Sequence, residues 1–264
     1  MLMVRNNPTS PGIFLISFTQ TTGYSTSGDA LHVWIGSEPL KAKVAKMAPF
    51  KDRRDAGRKL AQKLAAYEGR QDGLVLALPR GGVPVAYEVA LALGLPLDVF
   101  VVRKLGVPGR EELAFGAIAS GGIRVLNSDV VRLLSIPDEV INFVVKRESQ
   151  ELQRRESLYR GARPFPQLRD RTIILIDDGL ATGASMRAAV AGLRAQDPAR
   201  IMIAVPAAAP EVCHAFQSEV DEVICAITPE IFYGVGRWYE DFSQVSDEEV
   251  RILLHDANRQ LLTQ

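Results

Sequence analysis

The feature that most constrains the fold is an apolar run at residues 172–176 (Thr-Ile-Ile-Leu-Ile), which ends in two adjacent acids, Asp177 and Asp178. A short loop of small residues follows, and a helical pattern begins at Ala184. An apolar run of this length, bounded by loop residues, is typical of a strand buried on both faces of a parallel sheet. The segment therefore predicts a strand–loop–helix unit with both carboxylates at the carboxyl end of the strand.

The loop after the acids, residues 179–185, is suited to binding phosphate. Its backbone N–H groups can turn toward one point at a helix N-terminus, which binds phosphate without any lysine. The two carboxylates do not favour phosphate, but they suit hydroxyls or a metal ion. A ligand with a phosphate at one end and a diol beside it, such as ribose 5-phosphate, satisfies both halves. The loop is not a nucleoside triphosphate P-loop, because no Gly-Lys-Ser/Thr follows the glycines.

Residues 172–185 closely resemble the 5-phosphoribosyl-1-pyrophosphate (PRPP) loop of type I phosphoribosyltransferases: four apolar residues, two acids, a small loop, then Thr-Gly and a hydroxyl residue. The resemblance implies that Asp177 and Asp178 hydrogen-bond the ribose hydroxyls. It also implies a cradle for the 5′-phosphate formed by Gly179, Ala181, Thr182, Gly183 and Ser185. A plain strand-to-helix turn with a capping Asp is the alternative, and the length of the match argues against it.

A second loop, Pro-Arg-Gly-Gly at residues 79–82, follows another predicted strand. Glycines let the backbone approach an anion closely, and an arginine forks onto phosphate oxygens. In the resemblance Arg80, Gly81 and Gly82 form the pyrophosphate loop, where family members often have a strained, sometimes cis, peptide. The alternative is a turn with a surface arginine.

A third segment begins with Arg103 and Lys104. It resembles the Arg-Lys step that opens the flexible loop in the orotate and adenine branches of the family, where the two cations would neutralise the leaving pyrophosphate. We predict a polar loop over residues 103–112 that forms a mobile lid. Its mobility would come from Gly106, Pro108 and Gly109, and the residues that could close over the site are Arg110, Glu111 and Glu112. The alternative is a solvated charge cluster.

Strands alternate with helices along the chain, which predicts a doubly wound, mostly parallel α/β sheet with helices on both faces and a small C-terminal hood-like segment. Predicted strands cover residues 73–78, 97–102, 172–176, 201–205 and 222–226, with a hairpin at 113–119 and 123–126. Predicted helices cover residues 52–67, 83–93, 137–159 and 247–259, with others starting at 184 and near 211. Ligands bind such sheets at the carboxyl ends of strands, so we expect the Asp177, Arg80 and Arg103 loops to converge on one edge.

Composition narrows the range of partners. The 264 residues include 31 basic and 31 acidic side chains, which gives no bulk charge for nucleic-acid binding. No apolar run is long enough to span a bilayer, and we expect a cytoplasmic protein. Cys213 and Cys225 make no disulfide framework, and Cys225 is predicted to be a buried small residue. His32, His214 and His255 show no metal-ligand spacing.

Residues 1–46 are rich in Ser, Thr, Gly and Asn and lack sustained periodicity. A clear helical pattern begins shortly after Met47. We predict that Met47 is the natural start, that residues 1–46 are a disordered or non-native N-terminal extension, and that residues 47–264 form the phosphoribosyltransferase domain.

The segment at residues 231–242 is dense in aromatics, although only 7% of the chain is aromatic. Its rings could stack on a nucleobase, pack the C-terminal helix against the sheet, or form the contact of a homodimer. Within the family, the chain most resembles a little-characterised bacterial group that is marked by two stretches. They occur here as Phe-Lys-Asp-Arg-Arg at residues 50–54 and Trp-Tyr-Glu-Asp-Phe-Ser at residues 238–243.

The resemblance implies an enzyme that uses Mg-PRPP to transfer ribose 5-phosphate to a nitrogen acceptor and releases pyrophosphate. Asp177 and Asp178 would stabilise positive charge on the ribose, while Arg80, Lys104 and Mg²⁺ stabilise the leaving anion. Mg²⁺ would enter with PRPP, with the two acids as further candidate ligands. A PRPP or nucleotide sensor with little catalysis is the competing class, although a sensor of ribose phosphate alone would not need a pyrophosphate clamp. A hydrolase or phosphorylase of a related sugar phosphate is the third class.

One position restricts the acceptor. In the branch acting on 6-oxopurines, an acid stands two residues after the position of Gly179, and here that residue is Ala181, as in the adenine and orotate patterns. We predict that hypoxanthine and guanine are not acceptors, because Ala181 cannot supply the proton assistance that is worth ~10²–10⁴-fold in rate. A steady-state assay with hypoxanthine, guanine, adenine and orotate at saturating Mg-PRPP checks this. Turnover of either 6-oxopurine by the unmodified protein would contradict it; adenine, a pyrimidine or an acceptor that is not a nucleobase all remain open.

Overall fold

The structure is a computed structural model that describes residues 48–261, so the predicted extension at residues 1–46 lies outside the described residues. The described strands, in chain order, are β1 (Gly73–Ala77), β2 (Leu97–Val99), β3 (Val102–Val107), β4 (Arg110–Ala119), β5 (Ile123–Leu126), β6 (Thr172–Ile176), β7 (Arg200–Ala207) and β8 (Glu222–Ile227). Five of them form a central parallel sheet in the order β2-β1-β6-β7-β8. The other three form an antiparallel sheet in the order β3-β4-β5.

The α-helices of the described region are α1 (Arg53–Lys63), α2 (Gly82–Leu93), α3 (Ser128–Leu133), α4 (Asp138–Arg160), α5 (Ala184–Arg194), α6 (Pro210–Phe216) and α7 (Asp247–Leu261). Short 3-10 helices follow α1 at Ala65–Tyr67 and lie in the aromatic segment at Val235–Trp238. None of the helices between residues 48 and 261 is long and apolar enough to cross a membrane.

The central sheet separates two apolar layers, because consecutive side chains of a strand point to opposite faces. In β6 all five residues are buried. Ile174 and Ile176 belong to the layer that holds the buried faces of α1, α2, α4 and α7. Ile173 and Leu175 belong to the layer with α5 and α6. The prediction of a doubly wound α/β sheet is confirmed, and the reason is this apolar burial on both faces.

The interpretation of residues 103–112 as a polar loop is wrong. These residues form β3 and the start of β4, an antiparallel pair in which Arg103 is opposite Ile118 and Lys104 is opposite Ala117. Charged residues obscure the strand pattern, although Leu105 is fully buried while Lys104 is exposed. The predicted strand at residues 97–102 is divided between the two sheets: β2 ends at Val99, and the chain enters the second sheet at Val102.

Two further features differ from expectation. Helix α3 was not predicted, since its six residues are too few for a periodic pattern; Asn127 caps it by accepting hydrogen bonds from the N–H groups of Asp129 (3.1 Å) and Val130 (3.2 Å). Cys213 and Cys225 form a disulfide, and Cys225 is half-buried rather than buried. The β7–α6–β8 crossover brings these two cysteines together, which residue spacing alone does not reveal.

Arg160, the last residue of α4, is buried in a polar network that fastens this helix to both sheets. Its Nε donates to Asp98 Oδ1 at 2.8 Å, its Nη1 pairs with Glu156 at 2.8 Å, and its Nη2 donates to Ser120 Oγ at 3.2 Å. Arg160 and Asp98 are each only 6% exposed. Removal of the guanidinium would therefore leave a buried carboxylate without its cation.

We predict that Arg160→Met lowers the free energy of unfolding by about 3–5 kcal/mol, because an uncompensated buried charge is costly. Arg154→Met on the same helix is the matched control. Arg154 is exposed and pairs with Glu151, so its loss should change stability by less than about 0.5 kcal/mol. Urea denaturation of both variants measures the difference, and equal midpoints would contradict the assignment of Arg160 as a structural anchor.

Candidate functional site

The carboxyl ends of β1 and β6 lie side by side, because the two strands pair in parallel with Ala77 opposite Ile176. The N–H of Leu78 donates to the carbonyl of Ile176 at 2.8 Å, so the chains leave the sheet together. A Cβ atom at Gly81 would overlap Asp178 Oδ2, and one at Gly82 would lie 2.7 Å from the Ile176 carbonyl oxygen. The Arg80 and Asp177 loops thus converge as predicted, and this contact requires glycine.

The Pro79–Arg80 peptide bond in this contact is cis. The resemblance led us to expect that such a bond can occur in the pyrophosphate loop.

The two acids each keep one carboxylate oxygen that no described protein group binds. Asp177 Oδ1 accepts a hydrogen bond from the N–H of Asp178 at 2.8 Å. Asp178 Oδ2 accepts from Arg53 Nε at 2.9 Å and lies 2.8 Å from Arg53 Nη2. Within residues 48–261, no other residue donates a hydrogen bond to Asp177 Oδ2 or Asp178 Oδ1. The pair can therefore accept two hydrogen bonds from a ligand.

Burial controls the electrostatics of this pair. Burial raises the pKa of Asp177 well above its ordinary value, and the neighbouring charge of Asp178 raises it further. Burial also raises the pKa of Asp178, while the charge and hydrogen bonds of Arg53 oppose that rise. Hydroxyl donors or a cation beside the acids would stabilise their charged forms.

The loop after the acids ends at the N-terminus of α5, where several N–H groups lack acceptors. In the described part of the chain, they include the N–H groups of Ala181, Thr182, Gly183 and Ser185, which we call the amide cradle. Gly183 has φ +72°, and a Cβ atom there would lie 2.7 Å from Phe216 Cε2. The cradle can bind an anion through unpaired N–H groups and the positive end of the helix dipole.

Gly179 holds this loop against two neighbouring segments. A Cβ atom at Gly179 would lie 2.5 Å from Val235 Cγ1 and 2.9 Å from the Ala207 carbonyl oxygen. The N–H of Leu180 also donates to the Ala207 carbonyl at 2.8 Å. The start of the loop is therefore anchored to the end of β7, while the amide cradle follows it.

The predicted cations are held in different ways. Arg80 is about one-third exposed, and its Nη1 lies 3.8 Å from Asp247 Oδ1 at the start of α7. Arg103 instead donates from Nε to Glu148 Oε2 on α4 at 2.8 Å. Lys104 lies exposed on β3. The expected convergence of three loops therefore holds for the Arg80 and Asp177 loops, whereas Arg103 belongs to a strand and contacts α4.

Arg53 is a residue of this site that sequence reasoning missed. Residues 50–54 were recognised as part of a characteristic pattern, but no contact was predicted for them. Arg53 reaches Asp178, 125 residues further along the chain, and its Nη1 donates to the carbonyl of Ser243 at 2.7 Å. The two characteristic stretches, residues 50–54 and 238–243, thus meet at one acid of the site.

The aromatic segment packs against the start of the described chain. The rings of Phe50 and Tyr239 lie 5.4 Å apart, and those of Tyr239 and Phe242 lie 5.0 Å apart. The hydroxyl of Tyr239 donates to the backbone carbonyl of Asp178 at 2.6 Å, and burial raises the pKa of this tyrosine well above its ordinary value. Intramolecular packing thus buries Tyr239, whereas Phe242 is 37% exposed and Tyr233 is 76% exposed.

Comparison with known proteins identifies the family of this chain. Residues 50–236 match the model of the phosphoribosyl transferase domain. The chain belongs to the phosphoribosyltransferase family. Its central parallel sheet and flanking helices have the type I fold of that family.

The chain is similar to Rv0571c of Mycobacterium tuberculosis (strain H37Rv) and its counterpart MT0597 in strain CDC 1551, which carry a provisional assignment as phosphoribosyl transferases. Identity to each is 47% over 213 residues, which cover 81% of this chain and 48% of the relative. The chain thus spans about half the length of these curated relatives. It is also similar to the crystal structure of TT1426 from Thermus thermophilus, with 42% identity and a TM-score of 0.70, over 78% of this chain and 98% of that one.

We predict that Asp177→Asn combined with Asp178→Asn abolishes binding of ribose 5-phosphate and PRPP. Two hydrogen bonds to charged acceptors are lost, which corresponds to at least about 100-fold in affinity. Isothermal titration calorimetry measures the loss. The control, Asp138→Asn with Glu139→Gln, changes two exposed acids at the start of α4 and should bind normally. Unchanged affinity in a folded Asp177/Asp178 variant would contradict the prediction.

Proposed function

We propose that this protein uses Mg-PRPP to transfer ribose 5-phosphate to a nitrogen acceptor and releases pyrophosphate. The observation that carries the proposal is the arrangement at one edge of the sheet. Two acids with available oxygens lie directly before the amide cradle, and the Arg80 loop packs against the second acid. These three parts suit the ribose diol, the 5-phosphate and the pyrophosphate of a single ligand.

Asp177 and Asp178 take the ribose in this proposal. Asp177 Oδ2 and Asp178 Oδ1 accept hydrogen bonds from the two ring hydroxyls of PRPP. When the bond to pyrophosphate breaks, positive charge develops on the ribose ring. Two fixed carboxylates beside the ring stabilise that charge more than the neutral ground state, which is the condition for catalysis.

Arg80 takes the pyrophosphate, with Gly81 and Gly82 allowing close approach of the backbone. The ion pair of Arg80 with Asp247 is long and partly exposed, and such pairs contribute about 0–1 kcal/mol. A pyrophosphate carries more charge than one carboxylate and can replace Asp247 as the partner of Arg80. Lys104 adds a second cation from β3. Arg103, which is paired with Glu148, plays a smaller part.

The acids also fit Mg²⁺ delivered with PRPP. Among residues 48–261 no group of three or more His, Cys, Asp or Glu side chains could hold a metal ion. Mg²⁺ commonly binds through one or two carboxylates plus substrate phosphates, which matches the donor set of Asp177 and Asp178. When bound, Mg²⁺ neutralises the charge of the pyrophosphate.

The decisive experiment is a product screen. Purified protein is incubated with Mg-PRPP and a panel of bases and amines, and pyrophosphate release is measured. Release that depends on one acceptor supports the transferase and identifies the acceptor. Saturable PRPP binding without release for any acceptor would favour the sensor instead, and absence of PRPP binding would overturn both.

A second measurement tests the pyrophosphate assignment. We predict that Arg80→Ala and Lys104→Ala each weaken the binding of PRPP and of inorganic pyrophosphate by about tenfold or more. The affinity for ribose 5-phosphate should change little, because this ligand lacks the pyrophosphate charge. Arg169→Ala, which removes an exposed cation paired with Asp197, is the control. Binding titrations with the three ligands give the comparison. Equal losses for all three would show that Arg80 and Lys104 act structurally.

A further inference from the structure

Arg53 is the first residue of α1, and the cap of this helix determines where it begins. Asp52 accepts a hydrogen bond from the N–H of Asp55 at 2.7 Å, which closes the first turn. The Arg53 side chain is only 11% exposed. A buried arginine at a helix start requires partners for its N–H groups.

Those partners come from two distant parts of the chain. Nε and Nη2 lie 2.9 Å and 2.8 Å from the same oxygen, Asp178 Oδ2, while Nη1 donates to the Ser243 carbonyl at 2.7 Å. The guanidinium also lies 3.9 Å from the centre of the Phe242 ring. A planar guanidinium can make all of these contacts at once, and the ammonium of a lysine cannot.

The surroundings of Asp178 leave its carboxylate little freedom. Gly81 packs against Oδ2 on the pyrophosphate-loop side, and Tyr239 holds the backbone carbonyl of the same residue. Arg53 occupies Oδ2 from α1. The remaining oxygen, Oδ1, is the one without a donor in the described residues.

We infer that Arg53 is a positioning residue for the ribose: it fixes Asp178 through Oδ2 so that Oδ1 is held ready for a ring hydroxyl. The inference rests on the proposed function, since it concerns how the same acid binds PRPP. It adds that binding of the sugar depends on a contact between residues 50–54 and residues 238–243, outside the PRPP loop itself. Groups that orient a binding side chain in this way commonly change affinity by about 10–100-fold.

The test compares two ligands that differ in the ring hydroxyls alone. Ribose 5-phosphate carries them, and tetrahydrofurfuryl phosphate has the ring and the phosphate without them. Arg53→Met should weaken the binding of ribose 5-phosphate by ~10–100-fold. The affinity for tetrahydrofurfuryl phosphate should stay within about twofold of the wild-type value. Arg53→Lys should recover part of the loss, because it restores the charge but not the fork.

The matched control is Arg54→Met in the same helix. Arg54 is about half exposed and pairs with Glu88 rather than with an acid of the site. The Arg54→Met protein should therefore bind both ligands with wild-type affinity. In an Asp178→Asn background, Arg53→Met should add no further loss for ribose 5-phosphate, since coupled residues are not additive. Melting temperatures show which variants are folded.

Each outcome decides one claim. Equal weakening of both ligands by Arg53→Met, or no weakening in a folded variant, overturns the positioning role. If Arg53→Met does not fold, Arg53→Lys and Phe242→Leu replace it: the former should lose ribose 5-phosphate selectively, and the latter should not discriminate between the ligands. If the wild-type protein binds neither ribose 5-phosphate nor tetrahydrofurfuryl phosphate, the proposed function itself is overturned. If the wild type binds both ligands but the Arg53 variants show no selective loss of ribose 5-phosphate, only the positioning role of Arg53 is overturned.

Discussion

The parallel pairing of β1 with β6 is the constraint on which the candidate site depends. Because Ala77 is opposite Ile176, both loops leave the sheet at the same level, and the Leu78 N–H completes the pairing on the Ile176 carbonyl. Gly81 and Gly82 then occupy space where a side chain would collide with Asp178 or with the Ile176 carbonyl. The closeness of the arginine loop to the two acids is thus a consequence of strand register and missing side chains.

Burial disfavours the charged forms of the two adjacent acids at that edge, and the protein compensates this effect only in part. Burial raises the pKa of both, and Arg53 stabilises the charge of Asp178 alone through hydrogen bonds. Polar groups in protein interiors usually have hydrogen-bond partners. At this edge, one oxygen of each acid and the N–H groups of the amide cradle have no partner among residues 48–261, and Ala181, Thr182 and Ser185 are exposed. The carboxylate oxygens can accept hydrogen bonds from sugar hydroxyls, and the neighbouring N–H groups can donate to a phosphate. This combination is the physical basis for proposing a sugar phosphate as the ligand.

Local patterns predicted the parts of this site that depend on neighbouring residues. The β6 strand and the start of α5 were expected correctly, because apolar burial and small loop residues are visible within residues 172–185. The strands at residues 102–119 were missed in part because charges hide the alternation in which Leu105 is buried and Lys104 exposed. The disulfide of Cys213 and Cys225 depends on a crossover, and the contact of Arg53 joins residues 125 positions apart. No local pattern encodes such pairs.

The sequence by itself determined the chemistry of one edge: two acids, an N–H-rich loop and an arginine beside glycines, each at the end of a strand. It did so because backbone conformation and residue type are local properties. Only the tertiary structure decided which groups meet. It placed Arg80 near Asp247, Arg103 on Glu148 and Arg53 on Asp178, because these pairings follow from how helices and sheets pack across the whole domain.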